Sequence, residues 1–181
     1  MPFADLTPTT APPASRPAME AVTERLGYLP AAVARLAASP HALDGFRKIS
    51  AIFEACTLDP ISREVVVMTM ATRNDCHVCV AMHTAKLTGL GAGRALIAAL
   101  RDGTEASLPD ERLDAVQRFT LVVLASAGAV DDTDLRDFLA YGYTEQNALE
   151  VVLGIGAYTL STLANRLTGA PVDEQLASFA G

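Results

Sequence analysis

Apolar residues recur three and four positions apart along most of the sequence, which is the spacing of one face of an α-helix. Several of these segments begin at residues that favour helix N-termini, such as Asp59–Pro60, Asp110 and Thr144, and several end at glycines. No segment shows the sustained alternation of apolar and polar residues that is typical of a half-buried strand. The sequence therefore predicts an all-α fold, a helical bundle.

The length and composition fit one domain of ordinary size. The chain has 181 residues, a mass of 19.0 kDa and a hydrophobic fraction of 50%, which is enough to form a core without disulfides or metals. Five of its ten prolines fall within the first 17 residues, and proline lacks the amide hydrogen that helices require. We therefore expect a poorly ordered leader over residues 1–17 and one helical domain over residues 18–181.

The net charge of −7 argues against nucleic-acid binding, because an acidic surface repels the phosphate backbone. The chain also has no tryptophan with which to stack bases. Its longest uncharged stretches, residues 119–130 and 151–165, are shorter than the ~18–20 apolar residues that a membrane span requires. The N-terminus has neither the basic nor the apolar segment of a secretory signal, so we expect a cytoplasmic protein without membrane association.

Two cysteines, Cys76 and Cys79, lie three residues apart, and His83 follows four residues after the second one. These spacings place both sulfur atoms and the imidazole on one face of a helix. With Asp75 as the expected N-cap, the cysteines fall in the first turn, where free backbone amides and the helix dipole favour a thiolate. The spacing also suits a disulfide. The segment therefore has the outline of a redox site in which His83 exchanges a proton with Cys79.

A carboxylate can join this site only if the preceding helix ends before the cysteines. Glu64 lies twelve residues before Cys76, and on one unbroken helix it would point about 120° away from that residue. A break at Asn74–Asp75 would allow the preceding helix to fold back and bring Glu64 to the cysteines. There Glu64 could accept a proton relayed through His83.

Zinc is the most serious of the other chemistries open to paired cysteines. Haem c attachment requires a histidine directly after the second cysteine, where this chain has Val80. A thioredoxin-like site requires a preceding strand, which the sequence does not predict. A zinc site could use four ligands: Cys76, Cys79, His83 and Glu64. Zinc sites usually combine two well-separated ligand pairs, but a non-redox zinc protein and an inert cysteine pair both stay open.

At these residues the sequence resembles the alkyl hydroperoxidase D (AhpD)-like branch of the carboxymuconolactone decarboxylase family. The family pattern is Glu, eleven residues, Cys-x-x-Cys, three residues and His, and here it reads Glu64, Cys76-His77-Val78-Cys79 and His83. The similarity extends over most of the chain and includes the Leu-Ala-Asn-Arg-Leu-Thr-Gly-Ala-Pro segment near the C-terminus. The resemblance implies an all-α fold, no bound cofactor, and a homo-oligomer that is a trimer or a hexamer.

The resemblance also implies roles for the residues of the motif. Cys79 would attack a hydroperoxide and become a sulfenic acid, and Cys76 would then close a disulfide with it. Glu64 and His83 would relay the proton, and an external lipoyl-bearing or thioredoxin-like protein would reduce the disulfide. The implied function is a dithiol peroxidase that acts on alkyl hydroperoxides or hydrogen peroxide.

The chain departs from the best-known peroxidase of this family at one position. That enzyme has a second histidine directly before its second cysteine, where this chain has Val78. His77 lies one residue earlier, and its ring is expected to point about 100° away around the helix. The resemblance therefore implies a shortened relay. The wider family name leaves a decarboxylase-like activity as a further alternative, although lactone decarboxylation does not need a reactive dithiol.

Overall fold

The structure is a computed structural model that describes residues 3–103 and 107–180. It is 71% helical, and the described residues contain no β-strand, which confirms the predicted all-α fold. Its helices, in chain order, are α1 (Arg16–Leu26), α2 (Ala31–Leu36), α3 (Pro40–Glu54), α4 (Pro60–Arg73), α5 (His77–Gly89), α6 (Arg94–Asp102), α7 (Glu111–Ala125), α8 (Asp132–Ala140) and α9 (Glu145–Thr168). Short 3-10 segments lie at Pro13–Ser15 and Glu174–Phe179.

Side-chain caps set where three of the long helices begin. Asp59, Asp110 and Thr144 each accept a hydrogen bond from a backbone amide in the first turn of α4, α7 and α9, respectively. At α9 the cap is reciprocal, because the Asn147 side chain accepts a hydrogen bond from the Thr144 amide. These N-termini agree with the predicted ones, since a cap depends only on neighbouring residues.

Helix α4 lies at the centre of the bundle and packs against α5, α6, α7 and α9. Its Val65, Val66 and Val67 have no exposed surface, and neither does Met68. Three consecutive β-branched residues weaken an isolated helix, so the surrounding helices stabilise α4 by burying it on nearly every side.

Glycine lets α9 approach α3 closely. A Cβ atom at Gly154 would lie 2.6 Å from the ring of Phe53, which is closer than any side chain can pack. Residue 156, also a glycine, has open space around its Cα atom instead. The two glycines of α9 therefore serve different faces of the helix.

The structure differs from the expected leader over residues 1–17. Ala11 and Ser15 are buried, and the Ser15 hydroxyl donates a 2.7 Å hydrogen bond to the Ala37 carbonyl. Ala11 belongs to a small apolar cluster with Met19 and Leu43. The apolar residues between the prolines bury surface against α1 and α3, so the later part of the leader packs onto the helical domain. Residues 1 and 2 lie outside the described residues.

One helix of the described part of the chain, α9, is long and apolar enough to cross a membrane by length and composition alone. Of its most apolar 18-residue window, 33% is buried inside the protein. Charged residues at positions 150 and 166 limit the uncharged stretch within α9 to residues 151–165, which is why its length alone did not predict this helix as a candidate span. Core helices of water-soluble proteins meet the same criterion, so the length of α9 is weak evidence for a membrane span.

Glu150 joins α9 to the connection between α3 and α4. Its carboxylate accepts hydrogen bonds from the Thr57 amide at 2.9 Å, the Thr57 hydroxyl at 2.8 Å and the Leu58 amide at 3.1 Å. Asn147 donates a further hydrogen bond of 3.0 Å. Burial raises the pKa of Glu150, but these hydrogen bonds outweigh burial and lower the pKa to about 2.

Replacing Glu150 with Gln should destabilise the protein by about 2 kcal/mol at neutral pH, because the bonds to the charged carboxylate are lost. The contribution of Glu150 is fully present above its ordinary pKa of 4.5 and is lost as the pH falls towards about 2. Urea unfolding followed by circular dichroism at several pH values should therefore show wild type and variant converging in acid. Glu24→Gln, at an exposed position of α1, is the matched control. A constant difference between wild type and Glu150→Gln at every pH would contradict this account.

Candidate active site

The site is built on the chain reversal between α4 and α5. Helix α4 ends at Arg73, and Asp75 has a φ of 51°, in the left-handed region that aspartate tolerates better than most residues. The sequence predicted Asp75 as the N-cap of α5, and this prediction is wrong. An N-cap residue needs a non-helical backbone with negative φ, and Cys76, with φ −96° and ψ 89°, has it. Cys76 is thus the N-cap, and Cys79 lies in the first turn.

The C-terminal half of α9 holds this reversal in place. The Arg166 guanidinium donates to the carbonyls of Asn74 at 2.9 Å and Asp75 at 2.6 Å, and to the Asp75 carboxylate at 2.7 Å. One turn earlier on α9, the Thr162 hydroxyl accepts a 2.8 Å hydrogen bond from the Asn74 side chain. Two carbonyls that the end of α4 leaves free are thus satisfied by a helix about 90 residues away in sequence.

Both cysteines of the pair are buried free thiols in an apolar cluster. Cys76 is 2% exposed and Cys79 is 3% exposed. Ala71 and Val78 belong to the same cluster, and Ala170 and Val172, from the segment that follows α9, pack against it. The Asn165 side-chain amide of α9 donates a 3.3 Å hydrogen bond to the Cys79 sulfur.

Cys76 is the more acidic thiol of the pair. A hydrogen bond from the Cys79 thiol lowers the pKa of Cys76 to about 7; the Cys79 backbone amide, the Asn165 amide and the charge of Arg166 lower it further, against the effect of burial. The same hydrogen bond, together with burial, raises the pKa of Cys79. Cys79 therefore keeps its proton until the charge on Cys76 is removed or the proton is transferred elsewhere.

The reversal brings Glu64 of α4 to His83 of α5. The Glu64 Oε2 atom lies 2.6 Å from the His83 Nδ1 atom, and the two side chains are only 2% and 7% exposed. Burial raises the pKa of Glu64, but the charge and hydrogen bonds of His83 and Lys86 outweigh it and hold the pKa below its ordinary value. An ionised carboxylate accepts hydrogen bonds only, so Nδ1 donates to Glu64, and in the neutral form of the imidazole Nε2 carries the free lone pair.

Lys86 is a member of this cluster that the sequence analysis did not single out. Its ammonium lies 2.9 Å from the Glu64 Oε1 atom and 2.9 Å from the Glu54 Oε1 atom on α3. Burial lowers the pKa of Lys86, but the two carboxylates outweigh it and raise the pKa. Lys86 therefore stays charged and stabilises the ionised form of Glu64 from the side opposite His83.

Tyr158 of α9 packs edge-on against the His83 ring, with the ring centroids 5.3 Å apart. It also contacts Phe46 and Phe53 of α3 with its ring edge. Burial raises the pKa of Tyr158 to about 12, so the phenol stays neutral. Tyr158 thus fixes the orientation of the imidazole through packing and excludes water from that side of the ring.

The two residues between the cysteines lie in opposite environments. Val78 is 2% exposed and lies in the same apolar cluster as the two cysteines. The His77 side chain is 83% exposed, and its nearest acid is the Asp75 carboxylate at 3.7 Å. His77 therefore lies on the solvent side of α5 and does not occupy the position at which the best-known family peroxidase has its second histidine.

The four residues considered as zinc ligands do not form one donor set. Within residues 3–103 and 107–180, no group of three or more His, Cys, Asp or Glu side chains is placed to hold a metal ion. The Glu64 carboxylate is occupied by His83 on one oxygen and Lys86 on the other. A cation beside this carboxylate disfavours a second cation at the same oxygens.

Some of these residues carry signals that sequence reasoning could have used. Lys86 lies three residues after His83, so it falls on the same face of α5. Asn165 and Arg166 belong to the C-terminal segment quoted for the resemblance, but their contacts with the cysteines and the turn depend on how α9 crosses α5. Tyr158 has no local signal, since its partners come from other helices.

Comparisons with known proteins agree with this geometry. Residues 37–120, which include Glu64, the cysteine pair and His83, match the model of the carboxymuconolactone decarboxylase family. No curated protein sequence is a significant match. The solved structure of an alkylhydroperoxidase AhpD core protein from Ralstonia eutropha JMP134, an uncharacterized peroxidase-related protein, is 20% identical. It has a TM-score of 0.84, with 96% of this chain and 93% of that chain covered.

Two further solved structures share the fold. An uncharacterized peroxidase-related protein from Silicibacter sp. TM1040 is 17% identical, with a TM-score of 0.80 over 100% of this chain and 93% of that one. A variant of the debrominase Bmp8 in complex with 2,3,4-tribromopyrrole is 16% identical, with a TM-score of 0.76 over 99% of this chain and 95% of that one. At these identities the likeness establishes a common fold.

Proposed function

We propose that this chain is a dithiol oxidoreductase that reduces hydroperoxides, because residues 37–120 match the model of the carboxymuconolactone decarboxylase family and the chain has the AhpD-like fold. The observation that carries the proposal is the pairing of two groups of residues. The thiols Cys76 and Cys79 lie at the start of α5, and His83, which pairs with Glu64 of α4, lies one turn further along α5. A thiolate and a nearby base are the parts that thiol-based peroxide reduction needs.

The first chemical step is attack by the Cys79 thiolate on the terminal oxygen of the peroxide. The sulfur–oxygen bond forms as the oxygen–oxygen bond breaks, so the sulfur is oxidised to a sulfenic acid and the peroxide is reduced to an alcohol or water. One proton is delivered to the leaving oxygen. The Asn165 amide, which already donates to the Cys79 sulfur, stabilises the thiolate before attack.

The second step closes the disulfide. The Cys76 thiolate attacks the Cys79 sulfur, the sulfur–sulfur bond forms, and the hydroxyl of the sulfenic acid leaves with a proton as water. After Cys79 is oxidised, the Cys79 backbone amide, the Asn165 amide and the charge of Arg166 still favour the thiolate of Cys76. An external dithiol, on a lipoyl-bearing or thioredoxin-like protein, then supplies the two electrons that restore both thiols.

The proton that leaves Cys79 is accepted by His83. Because the Nδ1 atom of His83 donates to Glu64, the Nε2 atom carries the free lone pair. The imidazolium formed is stabilised by the Glu64 carboxylate, and it returns the proton to the leaving oxygen. Lys86 is a positioning residue in this scheme, because it acts only through the ionisation of Glu64.

The burial of the sulfurs favours a hydroperoxide as the substrate, because its reactive oxygen projects at the end of the molecule. The structural neighbour Bmp8 is a debrominase, so this fold also hosts chemistry on a halogenated ring. The variants described next should therefore be assayed with tribromopyrrole beside the hydroperoxide. Faster debromination than peroxide reduction would reassign the substrate.

Replacing either Cys79 or Cys76 with Ser should lower kcat/KM for cumene hydroperoxide by a factor on the order of 100 or more, since a serine hydroxyl is not ionised at neutral pH. Turnover is measured with dihydrolipoamide as the reductant. Cys56→Ser is the matched control, because this half-buried thiol lies outside the site, and it should retain wild-type activity. Full activity of Cys79→Ser would overturn the proposed mechanism.

Replacing Lys86 with Met should raise the pKa of Glu64 by about 1 or more, because the neighbouring cation is removed. Carbon NMR of the Glu64 carboxyl signal as the pH is lowered measures this change directly, apart from the cysteine thiols, whose ionisation near neutral pH sets the acid limb of the activity profile. Lys48→Met is the control. Lys48 is the only other lysine of the chain, and it is exposed on α3, where it pairs with Asp44. An unchanged pKa of Glu64 in Lys86→Met would show that Lys86 has no influence on the relay.

A further inference from the structure

The outward face of α9 carries the largest group of exposed apolar side chains among the described residues. Its members, with their exposed fractions, are Leu149 (73%), Val152 (48%), Leu160 (37%), Leu163 (52%) and Leu167 (74%). On a helical projection they lie within about 40° of the direction of Gly156. We call these five residues and Gly156 the α9 stripe.

The α9 stripe is symmetric about Gly156. Val152 and Leu160 lie four residues before and after this glycine, and Leu149 and Leu163 lie seven residues before and after it. Leu167 lies eleven residues after Gly156, and the residue eleven positions before it is Glu145. A face with this symmetry matches an inverted copy of itself, because the steps of three, four, four and three residues from Leu149 to Leu163 read the same in both directions.

Gly156 gives the stripe a point at which two helices can cross closely. A Cβ atom at Gly156 would meet nothing within 4 Å, so packing inside the protomer does not require a glycine at this position. Glycine in a helix interior destabilises the helix relative to alanine. Close approach of a second helix backbone is the physical benefit that a glycine at the centre of an apolar face provides.

Charges at the two ends of the stripe also favour an antiparallel partner. Glu145 lies at the N-terminal end of the stripe. Arg166 lies beside Leu167 at the C-terminal end, and its side chain, which binds the Asn74–Asp75 reversal through Nη1, is 45% exposed. Glu145 lies eleven positions before Gly156, and Arg166 lies ten positions after it. An inverted second copy therefore places its Arg166 level with Glu145 and on the same side, whereas a parallel copy places like charges level with one another.

We propose that the α9 stripe is a self-complementary interface at which two copies of this chain pair antiparallel, with the two-fold axis passing beside Gly156. In this arrangement Leu149 packs against Leu163 of the second copy, and Val152 packs against Leu160. Such an isologous contact is closed, so any larger assembly that contains it has an even number of chains.

The inner face of α9 argues against a membrane as the occupant of the stripe. Asn147 and Glu150 on that face bond to the connection between α3 and α4, and Asn165 bonds to Cys79. Insertion of α9 into a bilayer would break these contacts and leave polar groups in hydrocarbon. A second copy covers the outer face and leaves the inner contacts intact.

Light scattering after size-exclusion chromatography tests the proposal first. Wild type should have the mass of a dimer or of a larger even assembly, and Leu163→Glu should reduce that mass, because the glutamate opposes Leu149 of the second copy. Leu26→Glu is the matched control, since Leu26 is a similarly exposed leucine of α1 (46%), and it should keep the wild-type mass. Circular dichroism checks that each variant is folded.

Engineered disulfides test the orientation of the pair. In a chain whose three native cysteines are replaced by Ser, Gly156→Cys should form a covalent dimer on oxidation, because the two-fold axis brings this residue next to its own copy. Leu149→Cys alone should not, since it lies about 21 Å along the axis from its counterpart. Leu149→Cys combined with Leu163→Cys should again give a covalent dimer.

Each contrary result overturns the proposal. A monomeric wild type, or an assembly with an odd number of chains, excludes the isologous pair. Self-crosslinking of Leu149→Cys alone indicates a parallel arrangement. Co-sedimentation of monomeric wild type with phosphatidylglycerol-containing vesicles, lost in Leu163→Glu, would assign the stripe to a lipid surface instead.

Discussion

The reversal of the chain at Asn74–Asp75 is the constraint on which the site depends. It requires one non-glycine residue in the left-handed region and two carbonyls without helical partners, and Arg166 compensates by donating to both carbonyls. Only because α4 and α5 fold back on each other does Glu64 meet His83 at 2.6 Å. A continuous helix would leave a buried carboxylate without a partner, which is one of the more costly arrangements in a protein interior.

Helix α9 connects the site to the rest of the molecule. On its inner face, Asn165 and Arg166 contact Cys79 and the turn, and Tyr158 orients the His83 ring. On its outer face, the α9 stripe offers a surface for a second copy. The two faces belong to one rigid element, so pairing of chains would also hold the side chains that support the dithiol in place.

The helices and most of the motif geometry could be predicted from local sequence, because caps and apolar spacing are local properties. The caps at Asp59, Asp110 and Thr144 are examples. The contacts of Lys86 with Glu54 and of Asn165 with Cys79 could not be predicted, since they depend on how separate helices cross. The predicted N-cap of α5 was wrong by one residue. Asp75 has a left-handed conformation in a turn that Arg166 of α9 binds, and this contact could not be predicted from the local sequence.

The order of acidity in the thiol pair was also beyond sequence reasoning. Position at the start of a helix favours the thiolate form of both cysteines. The hydrogen bond between them lowers the pKa of Cys76 and raises the pKa of Cys79.

The central claim is that peroxide oxidises this pair through Cys79. Intact mass after brief exposure of reduced protein to stoichiometric cumene hydroperoxide tests it most directly. Wild type should lose two hydrogens, and Cys76→Ser should gain one oxygen on Cys79. An unchanged mass in both, or oxygen gained on Cys76 in Cys79→Ser but none in Cys76→Ser, would contradict the account.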